Sequence, residues 1–351
     1  MAPTDPSSPS FSAFASSSHG VSDGMPADGS DSSRPATSRD AGDERFPDGR
    51  PTRASPRPLT AQPAFVPLQT SLEGLRTFAE QAFHARAQGD KTDLYHLYNT
   101  AGAVMRDEPE RRLRSTGFGD YLRKLGAIDL ASRKQGVFSR PQFDKHTPTA
   151  EVVDTPNPDA TLKKNLHKSF FRAMTSEMQS GGDYAARVTL RLKPQHIPEV
   201  WHAVSTELLP AMRDELPEAK VAGPVAANNR TESALAMGRV PGVQEQVKSK
   251  LERFGPAPFR PGAPYGMQEI AKGISWTEED PSLDFSHGQV AVKIIETAMQ
   301  GLDEELERQE AAGGPMMSYD EALRRLKDDF LPPAIAACGR DPRAPHLLLR
   351  A

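Results

Sequence analysis

From Met1 to about Pro63 the apolar residues stand singly among Ser, Pro, Gly, Asp, Ala and Arg, with neither the period of a strand nor that of a helix. Such a segment cannot offset its ordering entropy, so a disordered leader is expected. Regular patterning begins at Thr70. There Thr70-Ser71-Leu72-Glu73 has the form of a capping box, and Leu75, Phe78, Ala82 and Phe83 follow at helical spacing to about Gln88. A second helix is expected from about Thr92 to Met105, carrying Leu94, Leu97 and Tyr98. A third is expected from Asp159 to about Met178, where Leu162, Leu166, Phe170 and Met174 recur every four residues. Between these, Gly117 to Pro158 is rich in Gly and Pro and reads as irregular.

Beyond Gly181-Gly182 the period changes. Arg187 to Lys193 alternates polar and apolar, which predicts a half-buried strand. Val188, Leu190 and Leu192 would face inward, and Arg187, Thr189, Arg191 and Lys193 would form a cationic row outside. A helix is expected from Pro198, with Val200, Trp201, Val204, Leu208 and Met212 inward and Pro210 kinking or shortening it. A short apolar run, Ala219 to Pro224, and a strand-like run, Arg230 to Met237, come next. Amphipathic helices are expected at Val243 to Phe254 and at Gln289 to Leu302, and Ser318-Tyr319-Asp320-Glu321 opens a last helix with another capping box. Strands followed by helices in this order predict an α+β fold. Its small, mostly antiparallel sheet is covered by helices and preceded by a helical segment and the disordered leader.

Composition narrows the function classes. The 351 residues are 37% hydrophobic and 26% charged, enough for a sizeable core, and much of the excess of Pro and Gly lies in the leader. A formal charge of -4 without a long basic run gives no footprint for nucleic acid. The single cysteine, Cys338, excludes an internal disulfide framework and a multi-cysteine zinc site and suits folding in reducing cytosol. The start, Met1-Ala2-Pro3-Thr4-Asp5-Pro6, has neither a basic nor an apolar signal region, and residue 2 is not the glycine that myristoylation needs. With no long apolar stretch, membrane insertion is not expected.

Dinucleotide, P-loop, serine-elbow and zinc-protease signatures do not occur, and the nine His are scattered, so no cofactor and no metal is expected. Lys220 stands beside Val221, Ala222, Gly223 and Pro224. It reads either as a partly desolvated base or as a lysine snorkelling from a strand end. Arg187 and Arg230 read either as guanidinium forks for a phosphate or carboxylate, or as a solvated sheet face with a turn arginine. Ser286 precedes a helix and is a good N-cap, where free amides can take an anion or simply be capped. His287 beside it is a candidate proton shuttle.

Several short motifs in series carry a resemblance. Ser169-Phe170-Phe171-Arg172, Arg187-Val188-Thr189-Leu190 and Lys220-Val221-Ala222-Gly223-Pro224 are followed by Thr231-Glu232-Ser233-Ala234, Met267-Gln268, Gly273-Ile274-Ser275-Trp276 and Ser286-His287-Gly288-Gln289. In order and spacing, from about Phe170 to about Leu302, the chain resembles the Hop A family of type III effectors from plant-pathogenic bacteria. Gly339-Arg340-Asp341-Pro342 extends the match more loosely.

The resemblance implies export through a type III apparatus, action in the cytoplasm of a plant host cell, and a host immune-signalling protein as partner. It divides the chain into an export leader over 1–65, a helical region over 66–180 with a part for a secretion chaperone at about Thr70 to Met105, and an α+β effector domain over 181–351. The domain type is also similar to lanthipeptide lyases and, more distantly, to phosphothreonine lyase effectors. Those enzymes remove an α-proton with a lysine while arginines hold the departing phosphate. On that analogy Lys220 is the base and Arg187 and Arg230 lie near the phosphate site, to which Ser286 is added as a candidate by its place at a helix start. The lyase effectors carry a histidine acid where this chain has Arg187, so leaving-group protonation would fall to another residue such as His287.

Overall fold

Thr70 opens the first helix as its sequence predicts: its hydroxyl accepts the N–H of Glu73, and the Glu73 carboxylate accepts the N–H of Thr70. The computed structural model describes residues 67–350 except 92, 101–111, 176–182 and 283–284, all within one compact unit, Pro63–Ala351. The leader expected over 1–65 lies outside the described residues, as do the ends of two expected helices at 101–105 and 176–178.

In chain order the first elements are α1 (Ser71–Ala87), α2 (Leu94–Thr100), α3 (Phe118–Arg133), β1 (Phe138–Pro141), α4 (Thr149–Val153), α5 (Ala160–Lys168), β2 (Phe170–Met174) and β3 (Ala186–Leu190). Next come α6 (Ile197–Ala203), a π turn (Val204–Leu208), α7 (Leu209–Ala211), β4 (Glu218–Ala222), α8 (Pro224–Asn229), β5 (Ala234–Gly238) and α9 (Val243–Leu251). The chain closes with β6 (Gln268–Ala271), β7 (Ile274–Glu278), α10 (His287–Ala311), α11 (Tyr319–Arg325), α12 (Leu331–Ala337), β8 (Arg340–Asp341) and β9 (Ala344–Leu348). The π turn falls just before Pro210, where the missing N–H and the ring disturb the helical ladder.

Seven strands form one sheet in the order β1-β2-β4-β5-β3-β7-β6, with every pairing antiparallel. The α+β fold with an antiparallel sheet covered by helices is therefore the observed architecture. The sheet draws strands from both sides of residue 180, since β1 and β2 join β4.

Three local expectations are corrected. Gly117 to Pro158 is not irregular, because α3 buries Tyr121, Leu122, Leu125 and Ile128 at helical spacing. Its internal Gly126 is small for packing: a Cβ there would stand 2.6 Å from Val153 Cγ2. The helix from Asp159 ends at Lys168, and Phe170 to Met174 is strand. A spacing of four is nearly one helical turn and also two strand repeats, so it could not separate the two. Lastly, the row expected outside is not a solvated face: Thr189 is only 2% exposed, and Arg187, Arg191 and Lys193 are half-buried.

One face of the sheet, with Phe171, Val188, Leu190, Val221 and Ala236, packs in a single core with residues of α3, α6 and α9. Each fully buried side chain the size of Phe171 or Val221 contributes about 2 kcal/mol. A second core joins Leu75 and Phe78 of α1, Tyr98, Ile294 and Ile295 of α10, Leu326 and Ile335. The opposite sheet face is covered on the β3 and β7 side, where Arg340 donates to Thr277 Oγ1 at 3.3 Å and Thr189 to Met267 Sδ at 3.6 Å. Among the described residues no helix is long and apolar enough to cross a membrane.

Candidate functional site

Strand period and register decide which candidates share a face. On β4, Glu218, Lys220 and Ala222 point one way, and Arg172 of β2 stands directly opposite Lys220. On β5, Leu235 and Met237 continue that face. On β3, Arg187 stands opposite Met237 and Thr189 opposite Leu235. Lys220 and Arg187 thus share one side of the sheet, roughly 10 Å apart across two strand spacings and offset along the strands.

Around Lys220 the chemistry is dense. Arg172 donates to Glu218 through two bonds, Nε to Oε1 at 2.9 Å and Nη2 to Oε2 at 2.6 Å. Tyr184 donates its hydroxyl to Oε2 at 2.6 Å, and the Lys220 ammonium lies 3.4 Å from Oε1. Burial pulls Lys220 below the ordinary lysine range. Glu218 opposes that pull, while Arg172 and Arg187 reinforce it. Burial would raise the Glu218 carboxyl, but hydrogen bonds from Arg172 and Tyr184 and the charge of Lys220 hold it below the carboxylate range. The Lys220 side chain keeps a quarter of its surface in solvent.

Arg187 is committed inward. Its Nε stands 2.5 Å from Glu279 Oε1, and Glu279 is itself fixed by its own N–H to the carbonyl of Ala185. Burial works against the Arg187 charge, yet Glu279 and Glu232 leave it above the ordinary range. Arg230, just past α8, lies over the Phe170 ring at 5.1 Å and donates to Asn99 Oδ1 at 3.4 Å. Phe170 shares the face of Arg172, so Arg230 reaches the same side of the sheet.

Ser286 acts as a cap. Its hydroxyl accepts the Gln289 N–H at 3.4 Å, and the Gln289 side chain accepts the Ser286 N–H at 2.7 Å. Ser318 caps α11 in the same way, but Glu321 turns to Arg324 instead of closing a box. His287 is 3% exposed and donates from Nε2 to the carbonyl of Tyr265 at 2.9 Å, since a carbonyl only accepts. Its Nδ1 is buried without a hydrogen-bond partner, and burial, then Arg340 and Arg187, push its pKa down to about 3. It is therefore neutral near pH 7, with its one proton committed to Tyr265, which is not the setting of a proton shuttle.

The arrangement brings Lys220, Arg187 and Arg230 to one side of the sheet and places His287 in the interior. Arg172, Glu218, Tyr184 and Glu279 were not among the candidates. Glu218 was within reach, because it precedes Lys220 by one strand repeat. Arg172 lies 48 positions before Lys220, and only the β2 to β4 register joins them. A cleft of about 290 Å³ between Arg86 and Asp303, Leu306, Met316 and Met317 is lined by none of the candidates. Among the described residues no group of three His, Cys, Asp or Glu could hold a metal ion.

Comparison with known proteins follows the same part of the chain. The structure of the effector protein from Pseudomonas syringae pv. syringae strain 61 is similar at a TM-score of 0.58 and 21% identity, covering 80% of this chain and 98% of that one. That of the effector protein from Pseudomonas syringae pv. tomato strain DC3000 is similar at 0.55 and 19%, with the same coverage. At these identities the likeness establishes the fold. The phosphothreonine lyase SpvC, the effector protein from Salmonella, matches at a TM-score of 0.25 and 13% identity over 60% of this chain and 100% of that one, and carries no argument about activity. No curated protein matches the chain in sequence. The model of the HopA1 effector protein family spans residues 161–347, from α5 through every strand discussed above except β1. That match covers more than half of the chain, and the protein belongs to the HopA1 effector protein family.

Proposed function

We propose that this protein is a type III secreted virulence effector that is delivered into plant host cells, with a secretion chaperone holding its N-terminal region before export. In the host cytoplasm it modulates immune signalling by binding a host protein. The observation that carries the reading is the family match over residues 161–347. Binding is favoured over catalysis because Arg187 is already paired with Glu279 and His287 is buried and neutral. Fusion of the first hundred or so residues to a reporter tests delivery: signal is expected in plant cells only from bacteria with a working type III apparatus. Equal signal from a secretion-deficient strain, or none from either, overturns it.

A second reading has its own support. Lys220 is a depressed amine on one sheet face with Arg172, Arg187 and Arg230, which suits a phosphothreonine or phosphoserine lyase. In that reaction Lys220 takes the α-proton, a carbon-carbon double bond forms, and the phosphate leaves with the electrons of the C–O bond. Mass spectrometry of phosphopeptides incubated with residues 66–351 decides it. Phosphate loss abolished in Lys220→Ala supports a lyase, and intact peptides leave the binding reading alone.

A further inference from the structure

A carboxylate placed out of water costs several kcal/mol unless donors surround it. The Glu218 side chain is 3% exposed and receives bonds from Arg172 and Tyr184, three in all and each within 2.9 Å. The Lys220 ammonium at 3.4 Å is the loosest partner. Arg172 and Lys220 are directly opposite on neighbouring strands, a pairing of like charges that repels on its own. Arg172 relieves it by turning along the strand to Glu218, so one buried carboxylate serves both cations.

We propose that Glu218 is the positioning residue of Lys220: its carboxylate, held by two bonds from Arg172 and shared with the Tyr184 hydroxyl, fixes where the amine stands on the sheet face. The clamp stands on this geometry, and the proposal rests on the lyase reading only for what Lys220 then does. Among the described residues the charged groups that act most on Lys220 are Glu218 on its own strand, Arg172 on β2 and Arg187 on β3, while Leu235 faces it from β5 without charge. Removing Glu218 therefore leaves two cations and burial, all favouring the neutral amine. Removing the Tyr184 hydroxyl frees Oε2 of one donor and strengthens the hold of the carboxylate on Lys220.

The test is pulse acetylation of the full-length protein across pH, read at each lysine by mass spectrometry, with exposed Lys164 as the reagent standard. Glu218→Gln is expected to lower the labelling midpoint of Lys220 by about one pH unit. Tyr184→Phe, which keeps every charge and tolerates the loss of one hydroxyl, is expected to raise it. An unmoved midpoint in Tyr184→Phe overturns the proposal even where Glu218→Gln fails to fold, as does an unmoved midpoint in a folded Glu218→Gln. Labelling needs no substrate, so the two readings separate. Shifted midpoints with intact phosphopeptides leave the clamp standing and end the lyase, whereas unmoved midpoints with phosphate loss end the clamp alone.

Discussion

Asp129 of α3 accepts the main-chain N–H of Ser139 at 3.1 Å and so fills the outer hydrogen-bonding position of β1, the edge strand of the sheet. Its other oxygen takes the N–H of Ala150 at 2.9 Å and Arg133 at 2.8 Å, and Pro141 on the same strand has no N–H to offer. The opposite edge, β6, is closed by residue 69: Glu269 donates its N–H to the Gln69 carbonyl, and its carboxylate accepts the Gln69 N–H at 2.9 Å. Covered edges of this kind prevent strand addition by another chain.

Asp129→Ala strands two buried amides at once and reopens an edge. The expected loss is about 3 kcal/mol in denaturant unfolding. Light scattering should show association that grows with concentration. A variant as stable and as monodisperse as the parent would show that water replaces the carboxylate.

His287 sets a pH dependence with a defined sign. Its ordinary pKa of 6.5 falls to about 3 in the folded protein, so between those values the unfolded chain holds more protons and stability rises with pH. Going from about pH 7 to about pH 5 should cost about 2 kcal/mol through this group. His346 and His167 shift the same way, so His287→Gln should flatten the profile substantially without abolishing it. Glu218 adds its own loss only lower, as pH falls below its ordinary 4.5. Unfolding midpoints measured across that range check the slope.

Gly223, where β4 turns into α8, passes close to the end of α5. A Cβ there would stand 2.6 Å from the Leu166 carbonyl oxygen and 2.9 Å from those of His167 and Ser169. These are main-chain atoms and cannot swing aside. Gly223→Ala should cost about 2 kcal/mol or more by thermal unfolding and should disturb the chemical shifts of Lys220, three residues upstream.

Lys220→Ala, in contrast, should change stability by less than about 1 kcal/mol, because the side chain is partly solvated and Glu218 keeps its bonds from Arg172 and Tyr184. Calorimetry beside the phosphopeptide assay makes a loss of phosphate elimination interpretable as chemistry. A large drop in melting temperature would instead make Lys220 a structural charge.

What the sequence determined by itself is local. Thr70, Ser286 and Ser318 announce helix starts because a cap acts within three residues, and the alternation from Arg187 to Leu192 announces β3 because strand period is read along one segment. The ordered series of motifs from Phe170 to Leu302 was equally legible, and the family match covers it. Tertiary structure alone decided the rest. Whether Phe170 to Met174 is helix or strand depends on β1 and β4 being there to pair with it. Whether Arg187 faces water depends on Glu279 folding over it, and whether His287 holds a charge depends on how the second core buries it. The cluster at Lys220 needs Arg172 and Tyr184 brought together by strand register, a long-range relationship that spacing along the chain does not encode.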